Sequence, residues 1–245
     1  MQNRNRFEEI TPQEFEKLSS SVRSIPRMKK NEFVKEFKET ILNWVKEKEG
    51  EIVRILREGK YSWHCKNYED PVRERDQLEL AIKESRKQNE GGIDLETADR
   101  VCRWGFNRKF PLRDPQETIK TTKEAFEYVE KENYFEAAKT LMNVSGVGIS
   151  RASKIIGLSD QNRLCIYDSR VGNALRDLKK ENVKLVLCPP DRSYRRDFNY
   201  TAKSGWATNY ERLIWAIQIM QEYFKIKSRP LRAADIEMAL FVMGE

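Results

Sequence analysis

Histidine occurs once in this chain, as His64, and cysteine four times, as Cys65, Cys102, Cys165 and Cys188, never in a close pair. With no CxxC and no group of three or four thiols, a structural zinc or an iron–sulfur cluster is not expected. Isolated thiols in a reducing cytosol read as free core residues. A Ser/His or Cys/His catalytic pair would have to use His64, which in "YSWHCKNYED" reads as a packed ring. No apolar run approaches the roughly 18 residues a membrane span needs. The start, "MQNRNRFEEITPQEF", lacks the apolar stretch of a signal peptide, so a cytoplasmic protein that does not enter membranes is expected. Alternating strand patterns are nearly missing, and "VKLVLC", residues 183–188, is the one stretch that reads as a strand. There is no internal repeat and no low-complexity tract.

What is present is charge carried on an apolar framework. Charged residues make up 35% of the 245 and apolar residues 39%, enough to fill a core, which excludes a disordered tail. The 46 basic residues exceed the 39 acidic ones for a net charge of +7, which favours polyanionic partners.

The apolar residues recur at helical spacing. Phe33, Phe37, Ile41, Val45, Ile52 and Leu56 mark one amphipathic helix, or two in tandem, ended by Gly59. Residues 71–88 form a charged helix stopped by "NEGG", and Asp94 caps the next, "DLETADRVCRWGF". Asp114 with Pro115 opens "RDPQETIKTTKEAFEYVEKEN", and "YFEAAKTLMNV" follows. Tyr210, Leu213, Ile214, Ile217, Met220 and Phe224 mark a late helix, and Pro230 opens a last one through Val242. The expected fold class is mainly α.

Between two of these helices the chain reads "LMNVSGVGISRASKII", residues 141–156. Glycine on both sides of one valine interrupts a helical pattern that resumes at once, and the bare backbone leaves amides at the start of the second helix open to a phosphate. Gly146 and Gly148 permit positive φ, Val147 is expected to tuck inward, and Ala152 lets two helices cross closely. Leu141, Val144, Gly146, Val147, Gly148, Ala152, Ile155 and Ile156 resemble the helix-hairpin-helix motif at each of its defining positions. An ordinary αα-hairpin is the alternative.

The resemblance extends to the helix-hairpin-helix superfamily of DNA glycosylases, repair enzymes that cut modified bases from the sugar. That family carries an aspartate twenty residues after the second hairpin glycine, and here that position is Asp168, in "LCIYDSRVGNAL". Ser169 and Arg170 stand where the family usually has Thr and His. The resemblance implies that Asp168 is catalytic; the alternative is a plain helix N-cap. Members that also nick the strand have a lysine two residues after the second glycine, where this chain has Ser150. Lys154 lies a turn further on, along the same face but not at the same place. A monofunctional enzyme is thus implied, with water as nucleophile and no cofactor. Cys188 alone cannot supply the four cysteines of the family's iron–sulfur members. The resemblance further implies no catalytic metal, and a structural monovalent cation held by carbonyls of the turn, at Asn143, Val144 and Gly146. Gly146, Val147, Gly148, Ser150, Arg151, Lys154 and Arg170 are the expected DNA contacts.

A base reached outside the stack needs a shaped pocket. In "RVCRWGFNRKFPLR", residues 100–113, five basic residues without an acid are interleaved with Trp104, Phe106 and Phe110. This suits a strand-gripping surface with a stacking ring, or equally a helix with core aromatics and a solvated basic face. Tyr61, Trp63 and Tyr167 are further pocket candidates, and Arg192, Arg195, Arg196 and Lys203 are candidate phosphate contacts. The family architecture implies a two-lobed helical fold. Residues 66–163 would form a helical barrel lobe ending in the hairpin, residues 1–65 with 164–245 a second lobe, and Asp168 would lie in the cleft between. The expected partner is double-stranded DNA with a modified base, met by a monomer. An oxidised or alkylated base in repair is the default reading, a modified base of phage DNA in antiviral defence is the second, and a non-catalytic hairpin DNA-binding protein is the alternative of another class. No P-loop or second carboxylate cluster suggests nuclease, ligase or polymerase chemistry.

Overall fold

The computed structural model describes residues 26–59, 70–106, 108–181, 183–189 and 203–245. They hold nine helices and one small strand pair. The helices are α1 (Lys30–Glu58), α2 (Pro71–Gln88), α3 (Leu95–Phe106), α4 (Pro115–Glu130), α5 (Tyr134–Asn143), α6 (Ile149–Gly157), α7 (Ser169–Ala174), α8 (Lys203–Ile226) and α9 (Ala233–Met243). The protein is mainly α. No helix among the described residues is long and apolar enough to cross a membrane.

Local chemistry sets most helix starts. Asp70 accepts hydrogen bonds from the amides of Val72 and Arg73, with Pro71 at the first helical position. Asp94 accepts from Thr97 at 2.7 Å, Asp114 from Glu117 at 2.9 Å, and Asn133 from Glu136 at 3.3 Å. Each side chain thus satisfies an amide that the helix itself cannot. α1 is one helix, not two, and ends at Gly59, whose φ of 58° makes it a left-handed cap.

α8 is buried on almost every side, from Gly205 through Met220, and packs against α1, α5, α6 and α9. A helix apolar around its circumference belongs at the centre of a core. α1 lays its Phe33, Phe37, Ile41 and Val45 face on α8 and α9, and α9 also covers α7. The buried apolar residues form one cluster running from α1 to α9. The strand expected over residues 183–188 is shorter: Val183–Lys184 (β2) pairs antiparallel with Lys179–Lys180 (β1), after which Leu185 and Val186 turn into the core. Burial of those two side chains, not a ladder, explains the apolar run. Cys102 and Cys165 are core thiols as expected, whereas Cys188 is exposed, its thiol donating to the Ser169 carbonyl at 3.1 Å. His64 and Cys65 lie outside the described residues.

Candidate functional site

α5 and α6 form a helical hairpin closed by residues 144–148. Val144 leaves helical geometry with ψ at 126°, and its carbonyl accepts from the Val147 amide at 3.0 Å, making a tight turn. Gly146 adopts φ +82°, and a Cβ there would sit 3.3 Å from Pro111 Cγ, so the position calls for glycine on both grounds. Val147, Leu141, Ala152, Ile155 and Ile156 are buried and hold the two helices together. Gly148 differs from expectation: at φ −95°, ψ 176° it is extended backbone open to any residue. Its contribution is the missing side chain. As the N-cap of α6 it makes no side-chain hydrogen bond, and the amides of residues 148–150 have no partner among the described residues. Unpartnered amides at a helix N-terminus form an anion site.

Basic residues flank this turn. Residues 108–113 carry Arg108, Lys109 and Arg113, all exposed, and Pro111 of the same segment touches Gly146. Burial depresses the Arg151 guanidinium below the usual arginine range, and the like charge of Arg108 adds to it. Beside them a cavity of about 460 Å³ is lined by Leu95, Glu96, Asp99, Arg100, Arg103 and Arg113. Asp99 fixes the segment, accepting from the Phe110 amide at 2.7 Å and from Arg113 at 2.8 Å.

The structure decides between the two readings left open for the aromatic residues of that segment. Trp104 and Phe110 are buried, at 2% and 0% exposure, so they are packing rings in this arrangement and not stacking surfaces. The helical period explains it, since Trp104 follows Ala98, Val101 and Cys102 on the inner face of α3 while Arg100 and Arg103 face outward. The side chain of Phe106 lies outside the described residues, as do Tyr61, Trp63, Arg192, Arg195 and Arg196. Lys203 opens α8 and is half-buried. Tyr167 is fully buried, its hydroxyl donating to the Leu187 carbonyl, and stacks 6.4 Å from Tyr210. It is a core residue and not part of an open pocket.

Two expected phosphate contacts are engaged elsewhere. Lys154 is 1% exposed and donates to the Trp104 carbonyl at 3.3 Å, with the ammonium 5.4 Å over the indole ring. Arg170 pairs with Glu245 at 2.7 Å and lies 4.6 Å over the ring of Phe241. Ser150 is half-buried next to the open amides. Arg151 donates to the Gly146 carbonyl. Of the three carbonyls expected to hold a monovalent cation, that of Gly146 thus carries a guanidinium and that of Val144 an amide hydrogen bond.

Asp168 caps α7, accepting from the Val171 amide at 3.0 Å, and is half-buried. Burial raises its carboxyl above the ordinary range; the Val171 amide, then the charges of Lys154 and Arg170, pull against that rise. The segment that delivers it is fixed to the hairpin. The hydroxyl of Ser153, on α6, accepts from the Tyr167 amide at 3.0 Å and lies 3.2 Å from the Tyr167 carbonyl. Gly157 packs so closely that a Cβ there would fall 2.5 Å from the Cys165 carbonyl oxygen. The second helix of the hairpin therefore positions the aspartate.

Sequence reasoning missed the charged network beneath. Arg75 of α2 pairs with Glu237 of α9 at 2.7 Å, both 3% exposed, and reaches Gln161 at 3.1 Å. Gln161 continues to Glu79 at 2.9 Å, and Glu237 accepts from the Ile166 amide at 3.3 Å. Partners so distant in the chain leave no local signal.

No family model, curated protein or solved structure matches the chain.

Proposed function

We propose that this protein is a monofunctional DNA glycosylase of the helix-hairpin-helix type, which flips a modified base from duplex DNA and hydrolyses its N-glycosidic bond. The observation that carries the reading is the mechanical link between two features. A half-buried carboxylate, Asp168, is docked through Ser153 and Tyr167 onto the helix whose first amides are open to a phosphate. In this reading the backbone of one strand sits on the amides of residues 148–150, and Arg108, Lys109 and Arg113 grip it further along. The sugar of the flipped nucleotide then faces Asp168.

Cleavage builds positive charge on that sugar. An ionised Asp168 stabilises the charge and orients a water on the face opposite the departing base. No amine attack is invoked, because Ser150 occupies the position from which a strand-nicking lysine would act. The two-lobed arrangement, with residues 66–163 in one lobe and residues 1–65 with 164–245 in the other, belongs to the same proposal. So do a modified base in repair or phage DNA as target, duplex DNA as partner, and a monomeric cytoplasmic enzyme.

The test is base release, followed by mass spectrometry, from duplexes carrying oxidised or alkylated bases and from phage genomes with modified bases. Release of a free base without strand scission, and no adduct trapped by borohydride, supports the proposal. A trapped adduct would replace the water mechanism with an amine. DNA binding without release of any base would leave a non-catalytic binding protein whose Asp168 only caps α7.

A further inference from the structure

A recess of about 650 Å³ lies along the C-terminal half of α1 and shares no residue with the hairpin or with residues 108–113. Lys46, Gly50, Val53, Arg54 and Arg57 line it from one face of the helix, and Arg229 closes it from the turn between α8 and α9. That turn is fixed, since the Arg229 amide donates to the Phe224 carbonyl at 2.9 Å. Two carboxylates share the lining, and both are engaged. Glu49 accepts from the Tyr223 hydroxyl of α8 at 2.6 Å and lies 3.7 Å from Arg229, while Glu58 pairs with Arg54 at 3.4 Å. Four cations against two carboxylates leave two positive charges in excess. Lys46 and Arg57 are exposed and form no ion pair among the described residues. A basic residue in the last turn complements the carbonyl end of a helix, which accounts for Arg57. It does not account for Lys46, three turns earlier, or for Arg229 from another element.

Gly50 is the second observation. It sits inside a 29-residue helix, where glycine weakens the helix relative to alanine, yet a Cβ built there meets no described atom within 4 Å. Packing among the described residues therefore does not call for it. What its bare backbone does is keep the recess open between Lys46 and Arg57, as a close-lying ligand requires. Val53 is the one apolar side chain of the lining, so the volume, though that of a small-ligand site, suits a charged occupant. Lys46 to Arg57 spans roughly 16 Å of helix, which matches repeated charges better than a single one. Guanidinium groups supply paired donors for phosphate oxygens. We propose that this recess is a further anion site, taking a run of two or more phosphate groups as in a polyphosphate or a nucleic-acid backbone. The proposal does not rest on the glycosylase reading.

The experiment is an NMR titration of the full chain with tripolyphosphate at constant ionic strength, following the backbone amides of Gly50 and Val53 and the guanidinium Nε signals of Arg54, Arg57 and Arg229. These local signals separate the recess from anions taken up at the hairpin. They should shift together along one saturating curve. Lys46→Gln with Arg57→Gln, read at the Gly50 amide, should weaken that binding about tenfold or more, because two charge-assisted contacts are lost. Gly50→Leu, read at the Val53 amide, should weaken it as much by filling the recess. Both variants should fold, since Lys46 and Arg57 are exposed and leucine at position 50 enters open space as the better helix former. Thermal melts check this, with the Gly50→Leu midpoint expected at or above the native one. Duplex DNA identifies the source of the phosphates: affinity that falls in the double variant assigns the recess to a strand's backbone, and unchanged affinity assigns it to a free polyphosphate. No shift of these signals with tripolyphosphate, native-like binding in either variant, or a Gly50→Leu midpoint well below the native one overturns the proposal.

Discussion

At the scale of single residues, the helix that Asp168 caps benefits from the side chain, while its burial opposes the charge. Because burial holds the carboxyl above its ordinary value of 3.8, the folded chain takes up its proton more readily than the unfolded chain. Ionising it therefore costs stability: the cost is absent below pH 3.8 and complete once the pH has passed the raised folded value. Asparagine keeps the cap without the charge. Asp168→Asn should stabilise the fold slightly at neutral pH, by less than about 1 kcal/mol and seen as a small rise in melting temperature, and the gain should vanish in acid. Thermal melts from pH 3 to pH 8 measure it, and a loss of stability at neutral pH would contradict the charge account. The hairpin glycines should separate just as cleanly. Gly146→Ala places a Cβ at φ +82° against Pro111 and should cost about 1 to 2 kcal/mol of stability. Gly148→Asp sits in ordinary extended backbone, where its carboxylate can cap α6 itself. It should fold normally yet weaken DNA binding by about 1 to 3 kcal/mol by competing for the phosphate's amides. Unchanged affinity across a salt series would remove the hairpin from the DNA interface.

At the scale of elements, α2, α9 and the segment before Asp168 are joined by the buried Arg75–Glu237 pair, and removing one partner strands the other charge. Glu237→Gln should destabilise by about 3 to 5 kcal/mol in urea unfolding, whereas Arg75→Met with Glu237→Leu should recover most of that loss. If the single variant costs as little as a surface change, the pair does not hold these elements together. The outward face of the segment between α3 and α4 answers to different physics. Arg108→Glu with Lys109→Glu should leave folding untouched, since both side chains are exposed, and should lower the slope of log affinity against log salt by about 2. An unaltered slope would place the DNA elsewhere.

Across the whole molecule, what the sequence made legible was whatever is written locally. Helix starts at Asp94 and Asp114 could be read because a cap and its amides lie within three residues, and the inward set Leu141, Ala152, Ile155 and Ile156 because burial follows the helical period. Leu185 and Val186 misled, since an apolar pair turning into a core looks the same as a strand. Trp104 and Phe110 stayed open because aromatics among arginines suit both a stacking surface and an amphipathic helix, and only the packing of α3 on α6 distinguishes the two. Lys154 was read as a phosphate contact because nothing local reports that the Trp104 carbonyl awaits it in the interior. Asp168 was legible as a position, but its burial and its charged surroundings come from α6, α7 and α9 together.

All of these scales meet at Asp168, and the central claim is that its charge drives base release. The most direct measurement is single-turnover release by native protein and Asp168→Asn on the best modified-base duplex, beside a DNA-binding titration and a thermal melt of each. Release should fall roughly a hundredfold or more while the variant folds, and its DNA affinity should hold or tighten, since a negative charge near the phosphodiester backbone is gone. A folded, DNA-binding variant that releases base at the native rate would contradict the account and reduce Asp168 to the cap of α7.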